Sequence, residues 1–398
     1  MPDSYFIVPL EEFPMPKLSQ RAANVPDSGI RAVFELAAKM DNVIDLSVGE
    51  PSLPVSEHVK KAGADAWLRD DLSYTANQGI DELRETLAQK LRTYNGYTVD
   101  PDQINVAAGG SQALNVAMSM ALDPGDEILV PDPGYATFFM TPMLMSATPV
   151  AYHLDPEDGF LPRLDVLEGL VTEKTKAILI NSPSNPLGTV IPPALIEQIM
   201  DFAKRHDLWV ISDEVYEHIL FEDAQVPFTS PAVFDTDGRV MSVYSLSKSY
   251  ALTGARLGYL VLPKGLDVRF AAVQEANASC VNTPSQYAAI AAVTGPQDDL
   301  EAARDHYTEN RRAALEVLDE LGLEYVNPAG GFYLFVNVSH DSAGDVSAWA
   351  QNFLREHRVA VAPGTAFGSF GEGWVRVCFA GDRDALVEGL RRFPKKNA

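Results

Sequence analysis

Val240-Met241-Ser242-Val243-Tyr244-Ser245-Leu246-Ser247-Lys248 is an apolar run that ends in two serines and a lysine. Arg256 follows eight residues later, in Gly254-Ala255-Arg256-Leu257-Gly258-Tyr259. The run to Ser245 predicts a strand and Gly258 to Leu262 predicts the next one, which puts the lysine and the arginine in their connection. A lysine amine is the natural nucleophile for a carbonyl, and it attacks well where nearby cations or desolvation lower its pKa. Arginine forks match phosphate oxygens and hydroxyls add donors, so Ser245, Ser247 and Arg256 can supply a phosphate site beside Lys248. A lone Ser-x-Ser-Lys also describes an exposed lysine in a serine-rich turn, and the surrounding chain has to separate the two.

Outward from this stretch, short apolar runs alternate with amphipathic helical stretches between about Val48 and Gly295, the pattern of an α/β domain with a largely parallel sheet. Seven strands are predicted: Ile104 to Ala108, Glu127 to Pro131, Thr148 to His153, Lys176 to Asn181, Leu208 to Ser212, Val240 to Ser245 and Gly258 to Leu262. Helices fill the intervals. Ser111 to Leu122 places Leu114, Met118, Ala121 and Leu122 on one side, and Pro193 to His206 has proline in its first turn. After Gly295 the texture changes to a long charged helix, Asp298 to Leu321, then a strand at Gly331 to Val338 and a helix at Val346 to Glu356. A strand at Trp374 to Phe379 and a last helix from Asp382 complete the chain. The expected division is a large domain over 49–295 and a smaller α+β domain from 296–398 joined by 1–48. The opening, with Pro9, Pro14, Pro16 and Pro26, reads as an extended arm.

The chain has 398 residues, 46% of them hydrophobic, enough for at least one large core. No apolar run approaches the roughly 20 residues that span a bilayer, and the start lacks a basic segment leading into an apolar one. Cys280 and Cys378 form no C-x-x-C pair and the seven histidines are scattered, so neither a structural zinc site nor another metal site is expected, and a reducing compartment, the cytoplasm, is the expected location. A net charge of −24 opposes binding to nucleic acid or anionic membrane. In so acidic a chain, any site for an anion must concentrate its own donors.

Four further clusters fall at or after predicted strand ends, where open α/β sheets place ligands. Ala107-Ala108-Gly109-Gly110-Ser111-Gln112 is a glycine turn opening a helix, a structural turn or a cradle whose N–H groups hold phosphate. Asn181-Ser182-Pro183-Ser184-Asn185-Pro186-Leu187-Gly188 is a tight turn or a means of aiming an amide into a site. In Ile211-Ser212-Asp213-Glu214-Val215-Tyr216, Asp213 is either a helix N-cap or the partner of a pyridinium nitrogen, with Tyr216 placed to donate to a phenolate oxygen on the same ring. Arg376, in Trp374-Val375-Arg376-Val377-Cys378-Phe379-Ala380, lies in an apolar strand, and a buried ion pair and a substrate carboxylate compete as its partner.

Taken in order, Gly110-Ser111, Tyr135 in Asp132-Pro133-Gly134-Tyr135, Asn185, Asp213, Tyr216, Ser245-x-Ser247-Lys248, Arg256 and Arg376 resemble the class I/II aminotransferases, pyridoxal-phosphate enzymes of fold type I. The likeness runs from Asp45-Leu46-Ser47-Val48-Gly49-Glu50-Pro51 to Arg376. It implies pyridoxal 5'-phosphate as cofactor, held by Lys248 as a Schiff base, with Asp213 on the ring nitrogen and Asn185 and Tyr216 on the ring hydroxyl. It further implies Tyr135 stacked on the ring, and a phosphate cup of Gly110, Ser111, Ser245, Ser247 and Arg256. Arg376 matches the clamp for the substrate α-carboxylate, with Asn185 and Gly49 also on the substrate side. Lys248, Asp213 and Tyr216 are the implied catalytic set. Tyr74, in Ser73-Tyr74-Thr75-Ala76-Asn77, resembles a tyrosine that reaches the cofactor phosphate of a neighbouring subunit, which implies a homodimer.

The reaction so implied moves an amino group from an L-amino acid to a 2-oxo acid, with Lys248, once freed, as general base at Cα. Aspartate-type relatives bring a second cation to the site, but residues 270–303 contain no Lys or Arg, and Ser111 stands where such relatives carry a lysine. Pro26-Asp27-Ser28-Gly29-Ile30-Arg31, leading to Gly49-Glu50-Pro51, resembles the aromatic and neutral amino-acid branch. That branch usually employs 2-oxoglutarate, and Ile30, Val48 and Leu53 are candidates for the side-chain pocket. The rival readings are a lyase on the same cofactor fold, of C–S-cleaving or cyclopropane-forming type, and an aspartate-type aminotransferase.

Overall fold

The computed structural model describes residues 16–26, 29–69, 72–224 and 226–396. Pro9 and Pro14 of the expected arm, and Asp27 and Ser28 of the segment before Gly29, lie outside the described residues. Strands, numbered in chain order, are β1 (Ile44–Asp45), β2 (Ile104–Ala107), β3 (Glu127–Asp132), β4 (Thr148–His153), β5 (Thr175–Asn181), β6 (Trp209–Asp213), β7 (Val240–Ser245) and β8 (Gly258–Val261). They continue with β9 (Tyr325–Val326), β10 (Tyr333–Asn337), β11 (Val359–Ala360), β12 (Ala362–Pro363) and β13 (Trp374–Cys378).

The main sheet has seven strands in the order β2-β8-β7-β6-β5-β3-β4. Strands β3 to β7 run parallel where they pair, and β8 is antiparallel to both its neighbours, β7 and β2. All seven expected strands are present, each within one residue of its expected ends. They were readable because helices cover both faces, so that β2, β7 and β8 are buried at every position and appear as mostly apolar runs. The register sets Asn181 of β5 opposite Asp213 of β6, and Asp213 opposite Val243 of β7, so the functional candidates on these strands finish side by side.

A second sheet, β12-β13-β10-β9, is antiparallel throughout, and β1 pairs in parallel with β11. The helices Asp298–Leu321 and Arg383–Arg391 pack on it through Ala314, Leu318, Leu386 and Leu390. Tyr216 and Ile219, from the turn after β6, belong to the same hydrophobic cluster, which ties that turn to β10 and β13. Strand β10 is shorter than the expected Gly331 to Val338. Gly331 adopts φ +70° and donates to Ile219 O, so this glycine docks on the turn after β6 instead of extending the strand. Among the described residues no helix is long and apolar enough to cross a membrane.

Candidate active site

The carboxyl ends of β5, β6 and β7, the start of the helix Gly110–Ala121, the segment around Gly49 and the middle of β13 enclose a cavity of about 650 Å³. Its lining brings together Lys248, Asp213, Tyr216, Gly110, Ser111, Tyr135, Asn185, Ser245, Ser247, Arg256, Gly49 and Arg376. Tyr74 does not join them; it is 92% exposed. Of the apolar candidates Ile30 and Val48 line the cavity and Leu53 does not.

Lys248 sits in a one-turn helix, Leu246–Ser249, whose N-cap is Ser245: its Oγ accepts from Ser247 N at 3.1 Å. This turn aims the lysine back across the strand ends, where Nζ donates to Gly49 O at 2.7 Å. Burial, aided by the Arg376 and Arg256 charges, brings the amine down to about 8, within reach of a neutral nucleophile.

Arg256 has φ +51° and donates to Thr253 O at 2.9 Å and to Ala108 O at 3.4 Å. Its guanidinium lies against Gly109, which has φ +83°, and a Cβ there would come within 2.6 Å of Nη2. The glycine therefore lets an arginine sit on the loop that opens the helix Gly110–Ala121, beside Ser111, Ser245 and Ser247. Free helix N–H groups, hydroxyls and a guanidinium with no carboxylate in ion-pair range among the described residues form a cradle suited to a phosphate.

Asp213 is buried, and burial raises its carboxyl to about 7, against the opposing pull of the Val215 N–H at 3.3 Å and the Lys248 charge. The N-cap reading of this residue is corrected: Val215 to His218 form turns, with no helix to cap. A buried carboxyl with one long hydrogen bond and no ion-pair partner among the described residues is suited to a cationic ring nitrogen.

Asn181 is structural. Its amide donates to Asp213 O at 3.0 Å and its Oδ1 accepts from Asn185 N at 2.8 Å, which orients Asn185. Asn185 in turn accepts from Arg376 Nη1 at 2.9 Å. The Tyr216 hydroxyl lies 2.8 Å from that of Tyr333, and Tyr135 stands in the cavity wall, edge-on to Phe138.

Arg376 is 3% exposed. Nη2 donates to Ser47 O at 2.6 Å, Nε has no partner, and the guanidinium lies over the rings of Tyr333 at 4.4 Å and Phe367 at 4.8 Å. Among the described residues no carboxylate is within ion-pair distance of it. The cation is shielded from water, aimed into the cavity and uncompensated.

Sequence reasoning missed Tyr333, Arg31, Phe34, Glu35 and Thr253, all of which line the cavity. Tyr333 was accessible in principle, because pairing the two predicted late strands makes it a diagonal neighbour of Arg376: Phe335 lies opposite Arg376 and Tyr333 opposite Cys378.

A family model described as aminotransferase class I and II matches residues 41–393. The chain is 37% identical over 384 residues to an aspartate aminotransferase of Pyrococcus abyssi, covering 95% of this chain and 97% of that one. It is 34% identical to an aromatic-amino-acid aminotransferase 2 of Thermococcus litoralis with the same coverage. A solved structure of a Thermus thermophilus aspartate aminotransferase single mutant superposes with a TM-score of 0.90 at 35% identity, covering 95% of this chain and 99% of that one.

Proposed function

The chain belongs to the class I and II aminotransferases, and from that premise we propose how its cavity carries the reaction and which substrates it takes. Members of this family depend on pyridoxal phosphate, and this chain is an aminotransferase acting between amino acids and 2-oxo acids. When bound, the cofactor supplies an electrophilic carbonyl and a ring that accepts an electron pair.

Ser111, Ser245, Ser247, Arg256 and the N–H groups at Gly110 and Ser111 hold the phosphate. Asp213 would hold the ring nitrogen in its protonated form, and Asn185 and Tyr216 would donate to the ring oxygen. Tyr135 covers one face of the ring and keeps water from it. Arg376, fixed by Asn185 and Ser47, takes the substrate α-carboxylate, with Gly49 alongside, so that Cα comes to rest near Lys248 Nζ. Lys248, with a pKa near 8, would hold the cofactor through Nζ, and its free amine would serve as the base that accepts the Cα proton and passes it on.

The observation that carries this reading is Arg376: a buried, uncompensated guanidinium in the same cavity as a lysine of lowered pKa. The preferred donors are aromatic or neutral L-amino acids, with 2-oxoglutarate as acceptor. Ile30, Phe34 and Val48 in the lining favour this, as does Ser111 in place of a lysine. One observation favours an aspartate-type reading: Arg31 is the remaining cation of the lining, held to Glu35 at 3.0 Å by an exposed pair that costs little to open. Adding amino acids singly to the holoenzyme and following the cofactor absorption decides between them. Conversion by phenylalanine or tyrosine supports the aromatic preference, conversion by aspartate alone supports the other, and release of pyruvate and ammonia would instead indicate a lyase.

The exposure of Tyr74 supports a homodimer in which it completes the neighbouring subunit's phosphate site. Sedimentation, together with weaker cofactor binding in Tyr74→Phe, tests this. Free thiols at Cys280 and Cys378 suit the cytoplasm. The seven-stranded sheet on one side, and the four-stranded sheet with the β1–β11 pair on the other, support a division into a large domain, 49–295, and a smaller one made of the described parts of 1–48 and 296–398.

A further inference from the structure

Tyr333 touches three parts of the proposed machinery. Its hydroxyl lies 2.8 Å from that of Tyr216, and its ring carries the Arg376 guanidinium at 4.4 Å. The same hydroxyl fills the space where Gly49 lacks a Cβ, next to the carbonyl that holds Lys248. It is 1% exposed, and among the described residues Tyr216 is its hydrogen-bond partner.

A tyrosine kept for packing would need only its ring. Phenylalanine would preserve the edge contacts with Tyr216 and Phe332 and the face presented to Arg376. What phenylalanine lacks is the oxygen, and burying that oxygen is unfavourable unless it bonds. A tyrosine hydroxyl has one proton to give and lone pairs to receive. If Tyr216 gives its proton to Tyr333, none is left for the ring oxygen of the cofactor. If Tyr333 gives, the Tyr216 proton is free to point into the cavity, and each bond in such a chain strengthens the next. A cation over the Tyr333 ring favours the second arrangement, because it makes that hydroxyl the better donor.

We propose that Tyr333 is a positioning residue that donates to Tyr216, and so directs and strengthens the Tyr216 hydroxyl as a donor to the ring oxygen of the cofactor. This rests on the assignment of Tyr216 to that oxygen. The titratable and charged groups facing the pair are Arg376 and Cys378 on β13, Asp213 at the end of β6, Lys248 after β7, and Tyr135 in the wall.

The test is the pH titration of the visible absorption of the holoenzyme, without substrate. A donor at the ring oxygen lowers the proton affinity of the nitrogen that Lys248 places beside it, so losing the donor raises the midpoint. Tyr216→Phe is expected to raise it, Tyr333→Phe to raise it in the same direction by about half a pH unit, and the double variant to match Tyr216→Phe alone. The KM for the amino donor changes little in Tyr333→Phe, because the ring over Arg376 remains. An unshifted midpoint in Tyr333→Phe, or additive shifts in the double variant, overturns the role of Tyr333. An unshifted midpoint in Tyr216→Phe overturns that role together with the assignment of Tyr216.

Discussion

Where β6 and β7 end, neighbouring residues serve two unlike regions. Asp213, Tyr216 and Ser245 open onto the cavity, while Glu214, Glu217 and Tyr244 turn to the opposite side and are equally buried. On that far side each carboxylate is answered. Tyr244 donates to Glu214 at 2.7 Å, Ser230 donates to its other oxygen at 2.8 Å, and Tyr97 meets Tyr244 at 2.8 Å. Glu217 takes Lys90 in a buried ion pair and Asn95 at 2.5 Å. On the cavity side Asp213 has one long hydrogen bond, and Arg256 and Arg376 have no counter-ion among the described residues. Burial and charge are common to both regions; completeness of partnership separates them. A finished network is architecture, and an unfinished one is a place for a ligand.

Substitutions on the two sides should therefore fail differently. Lys248→Ala is expected to lower transamination by about 10⁴-fold or more, with urea denaturation shifted by no more than about 1 kcal/mol. Retention of near-normal turnover would break the contrast at its strongest point. Glu217→Ala should do the reverse. It strands Lys90 as an uncompensated buried cation and should lower unfolding free energy by about 3–5 kcal/mol, while kcat of the protein that remains folded stays close to wild type.

A smaller effect comes from pH. Burial raises Glu214 from 4.5 to about 7, so folding favours its protonated form. Its contribution to stability is complete below about pH 4.5 and is lost as pH rises through about 7, with a slope of up to about 1.4 kcal/mol per pH unit. In the cofactor-free protein Asp213, raised from 3.8 to about 7, acts in the same direction. Denaturation across pH 4.5 to 7.5 should show the decline, and Glu214→Gln should flatten Glu214's share of it. An unchanged slope in that variant would place the titration on other groups.

Much of the main sheet was legible because two-sided burial leaves apolar runs that local pattern reveals. The cavity was legible where its members close individual strands: Asn185 after β5, Asp213 on β6, Ser245 and Lys248 at the end of β7. The far network was not, since Glu217 and Lys90 are 127 residues apart and nothing near either one advertises the other. Asp213 and Glu214 stand side by side in one acidic pair, and only the pleat of β6 decides which of them faces the cavity. Arg376 was ambiguous for a related reason. Its sequence neighbours contain no acid, but a distant one could have folded onto it, and only the assembled molecule excludes that among the described residues.

The uncompensated charge of Arg376 also bears on how the fold responds to a ligand. An arginine sealed from water without a counter-ion strains the empty fold, and a bound carboxylate relieves that strain, adding stability in proportion to ln(1 + [L]/Kd). Substrate then acts as a folding ligand. With Arg376 as the proposed carboxylate clamp, the chain is expected to resist unfolding and limited proteolysis better with a bound amino acid than without one. The residue proposed to hold the substrate would thereby couple occupancy of the cavity to the lifetime of the folded chain.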